Sequence, residues 1–195
     1  MRARKSRSRW RPPRWSLDSA CRAIVCEEGL VELDLGAIGK GFALDRMAEE
    51  LAEWDCPAYL LIAGGSSILA GDPPPGLPGW NSGLGNGDSA RRYWLAHASL
   101  SGSGVAVKGA HILDPHTGEP ATRRPRAWAI TPTAAVSDAL STACMVLSEP
   151  EIAEVIAAHL DWGALLNDNG QWRSYGVESF GKRAGLASGA IFSGM

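Results

Sequence analysis

Residues 22 to 36, "RAIVCEEGLVELDLG", read as extended chain, two short β-like runs around Gly29 that predict a hairpin. The next residues read as helix. From Ile38 to about Trp54 the apolar positions Leu44, Met47, Ala48, Leu51 and Trp54 recur at three and four, while Lys40, Arg46, Glu49, Glu50 and Glu53 take other faces. The switch from one period to the other falls inside "GAIGKG", so the helix opens directly on glycines. Strands with helices between and after them restrict the chain to an α+β or mixed α/β domain.

Downstream, "PAYLLIAGG" predicts a buried strand ending at Gly64-Gly65, and "SSILAGD" a second before the Pro-rich loop "DPPPGLPG". Further strands are expected at "WNSGL", "RRYWLAHASL", "HILD" and "AWAIT". A helix is expected from about Ala134 to Leu147, and another from Pro150 to Leu160, where proline suits a first turn. "GALLN" and "QWRSY", parted by Asp168-Asn169-Gly170, predict a closing hairpin, since Asn-Gly favours the turn that twisted strands require.

A chain of 195 residues with 45% hydrophobic content can bury one core, so residues 21 to 195 are expected to form one domain. Residues 1 to 15 hold seven of the nineteen Lys and Arg and no acid, which leaves the body at twelve basic against twenty-one acidic residues. The head, residues 1 to 20, could serve as an arm for nucleic acid or a membrane surface, but Arg-Pro-Trp clutter without periodicity more often reads as a disordered tail. The acidic body does not attract phosphate backbones, and no nucleic-acid partner is expected. No stretch reaches the roughly 20 apolar residues of a membrane-crossing helix, and no apolar segment follows the basic start as in a signal peptide, so the nominal location is cytoplasmic. Cys21, Cys26, Cys56 and Cys144 lack CxxC spacing and read as reduced, partly buried thiols.

Three places concentrate polar groups where the pattern calls for core. In "DLGAIGKGFALD", Asp34 to Asp45, small residues feed a helix N-terminus, which suits either phosphate binding or close packing of helix against strand. It is neither a Walker A sequence nor a dinucleotide G-x-G-x-x-G. In "AVSDALSTACMVL", Ala135 to Leu147, Asp138 and Thr142 stand one turn apart on one helix face. With a backbone carbonyl they make a hard oxygen site suited to Mg²⁺; alternatively Asp138 caps the helix or faces solvent and Thr142 bonds back to its own turn. In "HILDPHTGEP", residues 111 to 120, His111 suits a general base and Asp114 an orienting group, or the stretch is a short strand ending in a turn with His116 a plain turn residue. No serine-nucleophile elbow, HExxH or zinc-finger spacing occurs.

Taken in order, the strand-"DLGAIGKGFALD"-helix, "AGG", "HILDPHTGEPA" and "AVSDALSTACMVL" resemble the ApbE-type flavin transferases. The resemblance covers about Val31 to Leu147 and rests on the joint order of four motifs, each weak alone. It implies an antiparallel-rich sheet with packed helices, truncated by the family's N-terminal third. It implies FAD as substrate, Mg²⁺ as cofactor, and an acceptor protein whose threonine, in a Ser-Gly-Ala-Thr-like motif, receives FMN.

Residue by residue, the resemblance makes Asp138, Thr142 and a backbone carbonyl placed at Gly39 the metal ligands. His111 becomes the base for the acceptor hydroxyl, with Asp114 beside it. Gly36, Ala37, Lys40, Asp45, Gly64, Gly65, Thr117 and Gly118 line the nucleotide pocket. Ser66-Ser67 stands where the family commonly has Asp or Asn, and "SGAI" at Ser188 to Ile191 lacks the acceptor hydroxyl, so self-flavinylation there is not expected. The family is often exported or membrane-anchored. The same residues also suit an FAD pyrophosphatase releasing FMN and AMP, and a remnant that binds flavin without turnover is the reading from another class.

Overall fold

A computed structural model of the chain describes residues 14–30, 32–84, 91–105, 109, 111–168 and 170–176. The elements run β1 (Arg14–Asp18), β2 (Ala23–Glu28), α1 (Gly39–Glu53), β3 (Leu60–Ala63), β4 (Ser67–Ala70), β5 (Trp80–Leu84), β6 (Arg91–Leu95) and β7 (Ala98–Gly104). They continue with β8 (Arg126–Thr131), α2 (Ala134–Val146), α3 (Glu149–Ala157), β9 (Gly163–Asp168) and β10 (Gln171–Tyr175). The expected α+β class holds. Six strands form one sheet in the order β10-β9-β8-β7-β4-β3, and every neighbouring pair is antiparallel.

The period of two along the central strands assigns each residue to a layer. From β7, Ala98 and Leu100 join Trp128, Ile130 and Leu165 in a core roofed by Leu84 and Leu95 of the β5–β6 hairpin. On the opposite face, Ala127, Ala129, Ala164 and Leu166 meet Leu140, Cys144 and Met145 of α2 and Ile152 and Ile156 of α3. A smaller cluster, Leu44, Leu69 and Ala134, ties α1 to β4 and to the start of α2. The sheet therefore lies between a hairpin layer and a helix layer, and its central strands are buried on both faces.

The helix face of β7 is unusual because its residues are Ser99, Ser101 and Ser103. Ser99 and Ser101 bond Ser137 at 2.7 and 2.8 Å, and Ser103 bonds Ser141 and Thr142, both at 2.9 Å. Small hydroxyl side chains let α2 settle close to the strand while satisfying one another, which removes the cost of burying polar groups.

Four expectations about the strands change. The hairpin pairs β1 with β2, so Arg14–Asp18 of the supposed disordered head is a strand and residues 32–35 are not. Its turn is made by Asp18, whose Oδ1 accepts the N–H groups of Ala20 and Cys21, with Arg22 at φ 51°. "RRYWLAHASL" is two strands, broken at His97, where φ is 50°. "HILD" contributes only an isolated bridge, Leu113 to Pro120. β3 is an edge strand of half-exposed residues rather than a buried one, with Ile62 59% exposed. The "SGAI" stretch and the head before Arg14 lie outside the described residues. Among the described residues no helix is long and apolar enough to cross a membrane.

Cys21, Cys26 and Cys56 are exposed, contrary to the expected partial burial, and only Cys144 is buried. Burial pushes the Cys144 thiol up to about 12, against the opposing pull of Arg124. Thiol titration of the folded chain at pH 8 is expected to label Cys21, Cys26 and Cys56 and to reach Cys144 only on unfolding. Because this pKa is raised on folding, the stabilisation it reports is complete below the ordinary value of 9.0 and is lost as pH rises toward about 12.

Candidate active site

The site lies where the first turn of α1, the β3–β4 turn and α2 converge. At its centre is Asp138, whose side chain is 2% exposed. Lys40 Nζ donates to Oδ1 at 2.9 Å and to Oδ2 at 3.1 Å. Ser67 Oγ adds a bond to Oδ1 at 3.2 Å, and the backbone N–H of Gly41 one to Oδ2 at 3.2 Å. A buried carboxylate is tolerated only when its oxygens are bonded and its charge is compensated, and all of its bonds here come from residues 71 or more positions away.

The local sequence explains the convergence. Gly41 lies against α2 so closely that an added Cβ would sit 2.0 Å from the carbonyl oxygen of Ala134, so only glycine permits the crossing. Gly64 and Gly65, at φ 58° and 66°, turn the chain from β3 into β4. A Cβ on Gly64 would meet Lys40 Cδ at 3.3 Å, which places the "AGG" turn beside the Lys40 stem.

Asp45 Oδ1 and Oδ2 accept the N–H groups of Ala134 and Ala135 at 2.7 and 2.8 Å. Thr133, the residue at the cap position, makes no side-chain cap bond, so Asp45 serves α2 as a cap supplied from 89 residues away. Asp45→Ala is expected to cost about 1–2 kcal/mol of stability. At the scale of this chain that lowers Tm by roughly 2–8 °C, readable by thermal melting.

Around the carboxylate lie further oxygens. Thr142 Oγ1 donates to the Asp138 carbonyl at 3.3 Å and meets Ser103 Oγ at 2.9 Å. Gly39 is the first residue of α1, where a carbonyl is committed to the helical ladder. The Gly41 N–H, by contrast, is turned to Asp138 instead of back along the chain to Ala37. The Ala37 carbonyl consequently carries no hydrogen bond among the described residues. Asp34 Oδ1 accepts the Gly36 N–H at 2.7 Å, and the Gly36 carbonyl faces Lys40 Nζ at 3.5 Å.

The loop with the two histidines is anchored beside α2 through Ile112 and Ala121, which pack in the cluster of Leu140 and Cys144. Asp114 and Thr117 shape its turn. Asp114 accepts the N–H of His116 through its side chain and those of Thr117 and Gly118 through its carbonyl, while Thr117 Oγ1 accepts the N–H of Glu119. Gly118 takes φ 70°. His111 is exposed and forms no bond with the Asp138 cluster. Its Nδ1 lies 2.9 Å from the Gly109 carbonyl, an acceptor only, which assigns the proton of the neutral ring to Nδ1 and its lone pair to Nε2.

Lys40, Asp138, Thr142 and the "AGG" turn are thus brought together, while His111, Asp114, Thr117 and Gly118 form a separate loop. Ser67 and the Gly41 N–H were not anticipated as partners of Asp138. Nor were the bonds of the β7 serines to Ser137, Ser141 and Thr142, although Ser-x-Ser-x-Ser in an extended stretch marks one polar face.

The donors around Asp138 are hard oxygens: a carboxylate, a hydroxyl and a backbone carbonyl. Such a set fits Mg²⁺. Among the described residues no group of three or more His, Cys, Asp or Glu is placed to hold a metal ion.

Known proteins resemble the chain in sequence and in fold. The chain is 26% identical over 138 residues to the FAD:protein FMN transferase of Klebsiella pneumoniae (strain 342), spanning 64% of this chain and 39% of that protein. It is 30% identical over 140 residues to the FAD:protein FMN transferase of Haemophilus influenzae, spanning 64% and 40%. The crystal structure of the ApbE protein from Thermotoga maritima superposes with a TM-score of 0.73 at 26% identity, over 87% of this chain and 59% of the other. The chain therefore spans about two-fifths of the length of the curated relatives it matches. The family model matches residues 2 to 166, which takes in the basic head and extends beyond the motif-bearing stretch at both ends. On this match and this fold, the chain belongs to the ApbE family.

Proposed function

We propose that the chain transfers FMN from FAD, with Mg²⁺, to a threonine of an acceptor protein presenting a Ser-Gly-Ala-Thr-like motif. The observation that carries this reading is the buried Asp138 centre, assembled at the N-terminal turn of α1 from two of the four motif segments and Ser67, two residues past the "AGG" turn. Relatives over this stretch are named FAD:protein FMN transferase.

The residues divide the work by their chemistry. Asp138, Thr142 and a carbonyl of the "GAIGKG" turn, Ala37 being better freed for it than Gly39, would hold Mg²⁺. That ion would neutralise the pyrophosphate under attack and the departing AMP. The helix N-terminus and Lys40 favour an anion at the same place. The Gly64-Gly65 turn, lacking side chains, leaves the nucleotide room beside Lys40. The acceptor oxygen forms its bond to the FMN phosphorus as the bond to AMP breaks, and His111 Nε2 receives the threonine proton.

The test combines FAD and Mg²⁺ with and without an acceptor peptide while AMP, free FMN and labelled peptide are quantified. Transfer requires AMP to equal labelled peptide. AMP accompanied by free FMN alone would make the chain a pyrophosphatase. His111→Ala is expected to slow labelling by about 10²–10⁴-fold with Tm unchanged, because the ring is exposed and bonded only to its own loop.

A further inference from the structure

We propose that Lys40 is a displaceable counter-cation that makes divalent-metal binding at Asp138 depend on the nucleotide. The inference rests on the reading of Asp138 as a metal ligand and goes beyond it. A carboxylate offers about four lone-pair positions. Two bonds from Lys40 and one each from Ser67 and Gly41 occupy them. A metal ion reaches an Asp138 oxygen only if one of these donors leaves.

The three donors differ in freedom. Gly41 is fixed by the contact of α1 with Ala134, and Ser67 is wholly buried in β4. The Lys40 side chain is 35% exposed, sits on a flexible stem, and already lies 3.5 Å from the Gly36 carbonyl in the turn before α1. Of the three it alone reaches solvent, so it can leave without opening the core.

Charge sets the direction. Lys40 and Asp138 neutralise each other, so a divalent ion entering alone adds two uncompensated positive charges to a poorly solvated centre. A pyrophosphate brings two negative charges and gives the Lys40 ammonium a new partner at the helix N-terminus. Metal and nucleotide then bind as a coupled pair, and linkage requires each to raise the affinity of the other by the same factor.

The experiment titrates the chain with Mn²⁺ and follows the free-ion electron paramagnetic resonance signal, with and without FAD and in the absence of acceptor. Wild type is expected to bind Mn²⁺ at least about tenfold more tightly with FAD, within the usual range of coupling between sites. Lys40→Met is expected to bind Mn²⁺ without FAD about tenfold more tightly than wild type, and its Tm should rise with Mn²⁺ alone. Equal Mn²⁺ affinity of wild type with and without FAD overturns the inference while leaving the metal site standing. Absence of binding even with FAD removes the metal site and the inference together. Should Lys40→Met fail to fold, Lys40→Gln, which keeps most of the stem and loses the charge, carries the same arm, and unchanged Mn²⁺ affinity in either folded variant without FAD overturns the inference.

Discussion

Asp138→Asn is expected to reduce FMN transfer by at least about a hundredfold, the scale on which loss of a single electrostatic contact at a reacting group acts. The substitution keeps size and shape, so the core around α2 stays packed. It removes the negative charge and turns one acceptor into an N–H donor that opposes Lys40 or Gly41, both donors themselves. Stability should fall by about 1–3 kcal/mol through the buried bonds that lose their acceptor. Initial rates of peptide labelling, measured beside a thermal melt, separate the two effects. If Tm falls while the labelling rate is retained, Asp138 is a structural residue alone.

Gly41→Ala carries the largest expected stability effect. The new Cβ would meet the carbonyl oxygen of Ala134 at 2.0 Å, its carbon at 2.4 Å and Ala135 Cα at 2.7 Å. All are backbone atoms, so no side chain can swing aside and the helices must separate. Alanine's helix propensity returns at most about 1 kcal/mol. The net loss is expected at about 3 kcal/mol or more, the upper end of overpacking costs. At this chain length that is a fall of roughly 6–12 °C in Tm. Separation also withdraws the Gly41 N–H from Asp138, so transfer should fall with stability. Gly39→Ala is the control two residues earlier, where the added Cβ touches only Leu35 Cβ at 3.6 Å. It should melt within a few degrees of wild type. Equal melting of the two variants would contradict the close crossing of α1 and α2.

What the sequence made legible follows from how far each signal reaches. α1 shows because its apolar spacing is local, and β9–β10 because an Asn-Gly dipeptide parts two β-like runs in the sequence. The β1–β2 hairpin was displaced by one run because Gly29 drew attention to a turn that Asp18 and Arg22 make instead, without a glycine. "HILD" has a strand's composition, yet Asp114 draws three backbone N–H groups into a turn and leaves only one bridge. At the site, Asp138 and Thr142 were visible as a pair four apart. The pairing of Asp138 with Lys40 joins residues 98 apart, and no local spacing encodes it. Asp45 shows the same limit, since the bonds of its carboxylate to the N–H groups of a later helix join residues 89 and 90 apart. Motif order carried the family, and tertiary pairing carried the geometry.

The most direct measurement is the intact mass of a synthetic peptide containing Ser-Gly-Ala-Thr after incubation with the chain, FAD and Mg²⁺. The account predicts a gain equal to one FMN group, abolished by EDTA and absent with Asp138→Asn. An unchanged peptide mass, under conditions where the Klebsiella pneumoniae relative labels the same peptide, would contradict it.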